Sequence, residues 1–84
     1  MPVLCRFYGI IIRMYFQQAE HNPPHIHAVY GEDMAAITIQ SGDVLEGHLP
    51  PKALAMVREW IGLNKSDLLQ IWETQAFKTL SPLE

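Results

Sequence analysis

The sequence predicts an α+β protein, in which a small antiparallel β-sheet of three to five strands is covered on one face by a C-terminal helical hairpin. Residues 3–49 are rich in β-branched and aromatic side chains, which favour strands. Within this region, short segments that alternate apolar and polar residues are separated by turns containing Gly. After residue 50 the apolar spacing becomes helical. Strands that precede helices in this way are typical of the α+β class.

Length and composition predict one domain over residues 1–84. A hydrophobic fraction of 49% is high enough for a packed core, although 84 residues leave little room for a deep cavity. Only 18% of the residues are charged, so a monomer would have difficulty hiding its apolar surface. We therefore expect a protein partner or a homo-oligomer.

The charge and the N-terminal residues exclude several classes. The net charge is −3 and the six basic residues are scattered, which argues against duplex DNA binding by this chain alone. The N-terminal residues lack the pattern of a signal peptide, and the longest apolar run is too short to cross a bilayer. Cys5 is the only cysteine and is interpreted as a buried core residue. We expect a cytoplasmic protein without a membrane segment.

The predicted strands follow one another along the chain. Residues 3–17 form either one kinked strand or a hairpin pair, because Gly9 interrupts an otherwise continuous apolar segment. Residues 25–30, 34–40 and 44–49 alternate in polarity and are joined by short turns, which predicts an antiparallel meander.

Two helices are predicted next, at about 51–61 and 65–77. Gly62 is placed where a left-handed C-terminal cap is common, and Asn64 is a suitable N-cap for the second helix. Apolar side chains at helical spacing then cover one face of the sheet. The strand residues expected to face the helices are Ile26, Ala28, Tyr30, Ile37, Ile39, Leu45 and Leu49.

The opposite face of the predicted sheet collects polar and titratable side chains. The segment from His21 to His27 contains Pro23 and Pro24, whose fixed φ angles predict a rigid turn that leads into a strand. Alternation then puts His25 and His27 on one side. The full predicted set on this face is His25, His27, Thr38, Gln40, Glu46 and His48, joined by Arg13, Tyr15 and Gln17 if the first segment pairs alongside.

One use of this face is metal binding. His25 and His27 are two apart on a strand and can chelate one divalent transition-metal ion. His21 or His48, together with Glu46, would complete the coordination. Because such a histidine pair on a strand is more often ordinary solvated surface, we do not favour a metal cofactor.

Two further uses remain open, and the sequence does not decide whether the protein is an enzyme. The histidines His25 and His27, with His21 as a third candidate, can act as acid and base in metal-independent cleavage of RNA. Arg13 or a lysine would then neutralise the phosphorane, and Tyr15 would assist. Alternatively, Arg13, Tyr15 and Glu46 belong to a face that binds a partner protein.

Several strings resemble those of a group of small bacterial proteins, the domain-of-unknown-function family 4160. The resemblance rests on the segments at 6–16, 21–28 and 42–50 and on the helices with Trp60 and Trp72, and its most specific part is His-Asn-Pro-Pro-His-Ile-His-Ala at 21–28. Proteins of this kind tend to carry a basic residue at position 48. The resemblance therefore favours His21, His25 and His27 over His48 as shared site residues.

The resemblance also implies a biological setting. Similar proteins are often encoded beside a second small protein, in the paired manner of toxin–antitoxin modules. Our leading expectation is therefore a partner-binding component of such a two-gene module, and the alternatives are a ribonuclease-like toxin or a metal-binding protein.

Overall fold

A computed structural model describes residues 3–14 and 23–84 of the chain. This part of the chain forms a five-stranded antiparallel sheet and one C-terminal helix, which confirms the α+β class. The elements are β1 (Val3–Phe7), β2 (Ile10–Arg13), β3 (His25–Tyr30), β4 (Asp33–Thr38), β5 (Val44–Gly47) and α1 (Pro51–Thr74).

The sheet is a meander with the strands in the order β1-β2-β3-β4-β5. The first predicted segment is a hairpin pair, which resolves the alternative that the sequence left open. Tyr8 and Gly9 form its turn, and both are left-handed, with φ angles of 48° and 80°. Two left-handed residues in succession give the tight turn that matches the twist of a hairpin.

One face of the sheet packs against α1 and forms the core. Alternation along the strands sends Ile10, Ile12, Ile26, Ala28 and Ile37 into a single apolar cluster. The helix contributes Ala53, Val57, Trp60, Ile61, Leu68, Ile71 and Trp72 to the same cluster. Because successive strand residues point to opposite faces, the residues between these apolar positions lie on the other face.

The predicted helical hairpin is replaced by one kinked helix. Gly62 is helical and does not form a left-handed cap, and the interruption falls at Asn64, with φ −118° and ψ 16°. The side-chain amide of Asn64 donates to the Trp60 carbonyl at 2.9 Å, so this carbonyl keeps a partner where the helix bends. The helix ends at Thr74, before the predicted residue 77, and Gln75 is its left-handed C-cap.

Leu45 was predicted to face the helix, and this is wrong. The β4–β5 register pairs Val44 with Ile37 and Glu46 with Ala36, so Leu45 is an extra residue in β5. A bulge of this kind redirects the side chain at the extra position. The side chain of Leu45 is accordingly 47% exposed.

One edge of the sheet is covered by a later segment of the chain, and the other edge is exposed. The segment after α1 runs beside β1, where the Leu80 N–H donates to the Leu4 carbonyl at 2.7 Å. The Trp60 indole Nε1 holds the same segment by donating to the Ser81 carbonyl at 2.8 Å. At the other edge, all four residues of β5 are exposed, and no described segment pairs with its outer side. Residues 78–84 thus protect one edge only.

Candidate functional site

The structure brings three of the predicted site residues into one row across the sheet. Arg13 pairs with His27, His27 pairs with Ala36, and Ala36 pairs with Glu46. Residues directly opposite one another in antiparallel strands project to the same side. We call Arg13, His27, Ala36 and Glu46 the histidine row. It lies on the face opposite the core cluster, to which none of its four members belongs.

His25 extends this site toward the helix. It lies at the start of β3, and its ring centroid is 5.2 Å from that of His27 and 5.2 Å from that of Trp72. Its Nδ1 is 2.9 Å from the Pro23 carbonyl oxygen. A carbonyl can only accept, so Nδ1 carries the proton and Nε2 is the acceptor in the neutral ring.

The two prolines therefore have a role beyond rigidity. Pro23 and Pro24 fix the backbone immediately before β3. As a result, the Pro23 carbonyl sets both the position and the tautomer of His25. This segment presents the Nε2 atom of His25 for hydrogen bonding or proton transfer.

Burial controls the protonation of His27. The ring is half-buried, and desolvation lowers its pKa below the usual value of 6.5. The neighbouring positive charge of His25 lowers the pKa further, whereas the Glu46 carboxylate raises it. His27 is consequently a neutral imidazole near pH 7, and a neutral ring can accept a proton.

We expect an NMR titration to place the His27 midpoint below 6.5. The variant His25→Gln should raise this midpoint because it removes a repelling charge, and Glu46→Gln should lower it because it removes an attracting one. The variant His27→Gln identifies which histidine resonance belongs to His27.

The lowered pKa also makes the stability of the fold depend on pH. The unfolded chain binds more protons than the folded one between the lowered pKa and 6.5, so His27 contributes stability that is lost as the pH falls through this window. A midpoint above 6.5 would contradict this assignment.

Arg13 places a cation beside His27. Its side chain is half-buried, and its Nε atom is buried without a hydrogen-bond partner among residues 3–14 and 23–84. A buried guanidinium N–H that lacks a partner favours an anionic ligand, because unmade hydrogen bonds are costly. The histidine row thus has a cation at one end and the Glu46 carboxylate at the other.

The other predicted residues of this face have different positions. His21, Tyr15 and Gln17 lie outside the described residues. Thr38 is opposite His25 but is buried, and its hydroxyl forms a hydrogen bond with the Ser41 hydroxyl at 2.5 Å. Gln40 and His48 are exposed and follow the ends of β4 and β5. Arg13, His25, His27 and Glu46 are the predicted residues that the structure groups together.

The described residues do not form a metal centre. No group of three or more His, Cys, Asp or Glu side chains within 3–14 and 23–84 is arranged to hold an ion. His25 and His27 are adjacent, and no third ligand joins them in this part of the chain. This geometry gives the metal hypothesis no added support.

Two residues of the site were not expected from the sequence. Ala36 is the small residue between His27 and Glu46, and at 4% exposure it is the floor of the row. Its position on the polar face follows from alternation along β4, which is the signal that identifies it. Trp72 belongs to the core cluster, and its contact with His25 depends on how the kinked helix crosses the sheet.

The fold and the site together define a small α+β protein with two histidines on a strand of its sheet, on the face opposite the core cluster. A family model described as Domain of unknown function (DUF4160) matches residues 9–73 of the chain. The chain belongs to this family. No curated protein and no solved structure gives a significant match. Within the described ranges, no helix is long and apolar enough to cross a membrane.

Proposed function

We propose that this chain is the partner-binding component of a bacterial, cytoplasmic two-gene module of the toxin–antitoxin type. The observation that supports the proposal best is the open edge of β5. An exposed edge strand presents unpaired backbone groups to which a partner can add a strand. The opposite edge is already occupied by residues 78–84, so strand addition is directed to β5.

Apolar side chains surround this edge. Val44 and Leu45 of β5 are 36% and 47% exposed, and Met34 in the neighbouring strand is 40% exposed. Large apolar side chains that are exposed beside an edge strand can be covered by an added strand. A strand laid along β5 would therefore gain both backbone hydrogen bonds and apolar contacts.

Charge favours a different protein over a second copy of this chain. A β5 strand paired with its own copy would bring the Glu46 carboxylates of the two chains into one short ladder, with Asp43 beside them. Like charges on neighbouring strands are destabilising. We infer that the partner is the protein encoded beside this one, which contributes an extended segment.

Co-expression with the neighbouring gene tests the proposal. The wild-type chain should retain the neighbour's product through affinity purification, and Leu45→Lys should reduce its recovery at least tenfold, because the charge lies in the docking edge. Leu63→Lys is the matched control, since Leu63 is 72% exposed on α1, and it should behave as wild type. A chain that purifies alone, or equal recovery with both variants, would contradict the proposal. Self-association without the neighbour would favour a homo-oligomer instead.

A further inference from the structure

We propose that His25, His27 and Arg13 form a site that cleaves single-stranded RNA at the phosphodiester next to a 2′-hydroxyl. This activity goes beyond partner binding, because the reaction needs only residues of this chain. It would make the chain the toxic half of its module.

The first support is the placement of the two imidazoles. Their ring centroids are 5.2 Å apart on the side of β3 opposite Ile26 and Ala28, which is close enough for both rings to reach one phosphodiester. Cleavage of RNA by its own 2′-hydroxyl requires one group to take a proton and another to give one. Two histidines in different surroundings can divide these tasks.

The different surroundings of the two histidines indicate which is the acid and which is the base. His25 keeps its Nδ1–H on the Pro23 carbonyl whether the ring is neutral or charged, so Nε2 is the ring atom that gives and takes the exchanged proton. His25 is therefore suited to be the acid, with Nε2–H directed at the leaving oxygen. His27 is half-buried and faces His25, Arg13 and, across Ala36, Glu46. Its desolvated, neutral ring is suited to be the base.

Arg13 supplies the anion contact. It is the cross-strand partner of His27, so its guanidinium lies on the same face and next to the base. Guanidinium groups bind the non-bridging oxygens of phosphate through paired N–H donors and stabilise the charge of the phosphorane. Glu46 repels a polyanion at the opposite end of the histidine row, which leaves the Arg13 end for the phosphate.

The reaction balances without any co-reactant. His27 takes the proton of the 2′-hydroxyl while the 2′-oxygen forms a bond to phosphorus. The bond from phosphorus to the 5′-oxygen breaks, and His25 gives its proton to that oxygen. The products are a 2′,3′-cyclic phosphate and a 5′-hydroxyl, and exchange with water restores both histidines. The nucleophile belongs to the substrate, which is why the site selects RNA over DNA.

The test uses the full chain from cell-free synthesis and a labelled single-stranded RNA oligonucleotide. Wild type should yield products that end in 2′,3′-cyclic phosphate, and it should leave the 2′-deoxy oligonucleotide intact. His25→Asn and His27→Asn should each slow cleavage about 100-fold. Arg13→Lys should slow it about tenfold. Arg58→Lys is the matched control and should be unchanged, since Arg58 contacts the Gly42 carbonyl away from the row.

Three results would contradict the proposed RNA cleavage. Absence of RNA cleavage by folded wild type, equal cleavage by the histidine variants, or cleavage of the 2′-deoxy oligonucleotide would overturn the proposal. Circular dichroism and thermal melting establish that each variant is folded before its rate is compared. Because the chain is assayed without the neighbouring gene's product, the cleavage rate is independent of partner binding.

Discussion

Replacement of Gly47 by Ala is expected to lower the free energy of unfolding by about 4 kcal/mol or more. Gly47 has a φ angle of +80°, which residues with a side chain rarely adopt. A Cβ atom at this position would lie 2.1 Å from the Met34 carbonyl oxygen and 3.1 Å from the Ala35 Cα atom. Both contacts are backbone, so relief of the clash requires β5 to separate from β4. Because a chain of this length has roughly 4–13 kcal/mol of stability in total, much of the population should unfold.

Substitutions at two other glycines separate the contribution of backbone strain from that of the steric clash. Gly31→Ala meets no atom within 4 Å but has a φ angle of +61°, so it should show the backbone strain alone, about 1–2 kcal/mol. Gly62→Ala lies in α1 with open space around it and should stabilise the chain by about 0.5–1 kcal/mol. Urea unfolding of the three variants gives the comparison. Equal losses at positions 31 and 47 would show that the contact with Met34 is unimportant.

Trp60→Ala is expected to lower the free energy of unfolding by about 3–5 kcal/mol. Trp60 is fully buried, and its ring lies 5.9 Å from that of Phe7 in β1. Removal of the indole leaves a cavity between α1 and the sheet, and it also removes the donor that holds the Ser81 carbonyl. Urea unfolding measures the total loss.

Trp60→Phe keeps most of the packing and removes the hydrogen bond. It retains an aromatic ring against Phe7 and loses the Nε1 donor together with part of the ring volume, so the stability loss should be smaller than for Ala. The amide of Leu80, which donates to the Leu4 carbonyl, should then exchange with solvent faster than it does in the wild type. The amides of β3 serve as the internal reference. Unchanged exchange at Leu80 would show that the indole does not anchor this segment.

Much of the fold follows from local pattern. The alternation in residues 25–49 predicted three antiparallel strands, and the proline after residue 50 marked the start of α1. The pattern was insufficient where one residue alters the geometry. Tyr8 adopts a left-handed turn that its residue type does not favour, Leu45 is a bulge, and Asn64 bends a helix without ending it. The spacing of apolar residues along the chain does not encode departures of this kind, which are confined to single residues.

The site was predicted in part for the same reason. Alternation placed His25 and His27 on one face, and the pairing of β2 with β3 added Arg13. The lowered pKa of His27 and the contact of His25 with Trp72 depend on burial and on the crossing of the helix, which the sequence does not contain. The tautomer of His25 depends on a single 2.9 Å contact with Pro23.

The unequal edges of the sheet have a consequence for stoichiometry. A sheet with two open edges can add strands on both sides and grow into an open-ended polymer. Here residues 78–84 occupy the β1 side, so among the described strands β5 alone offers an edge for addition. An assembly formed through this surface should therefore be closed, with one added strand per chain, whatever the concentration of the partner.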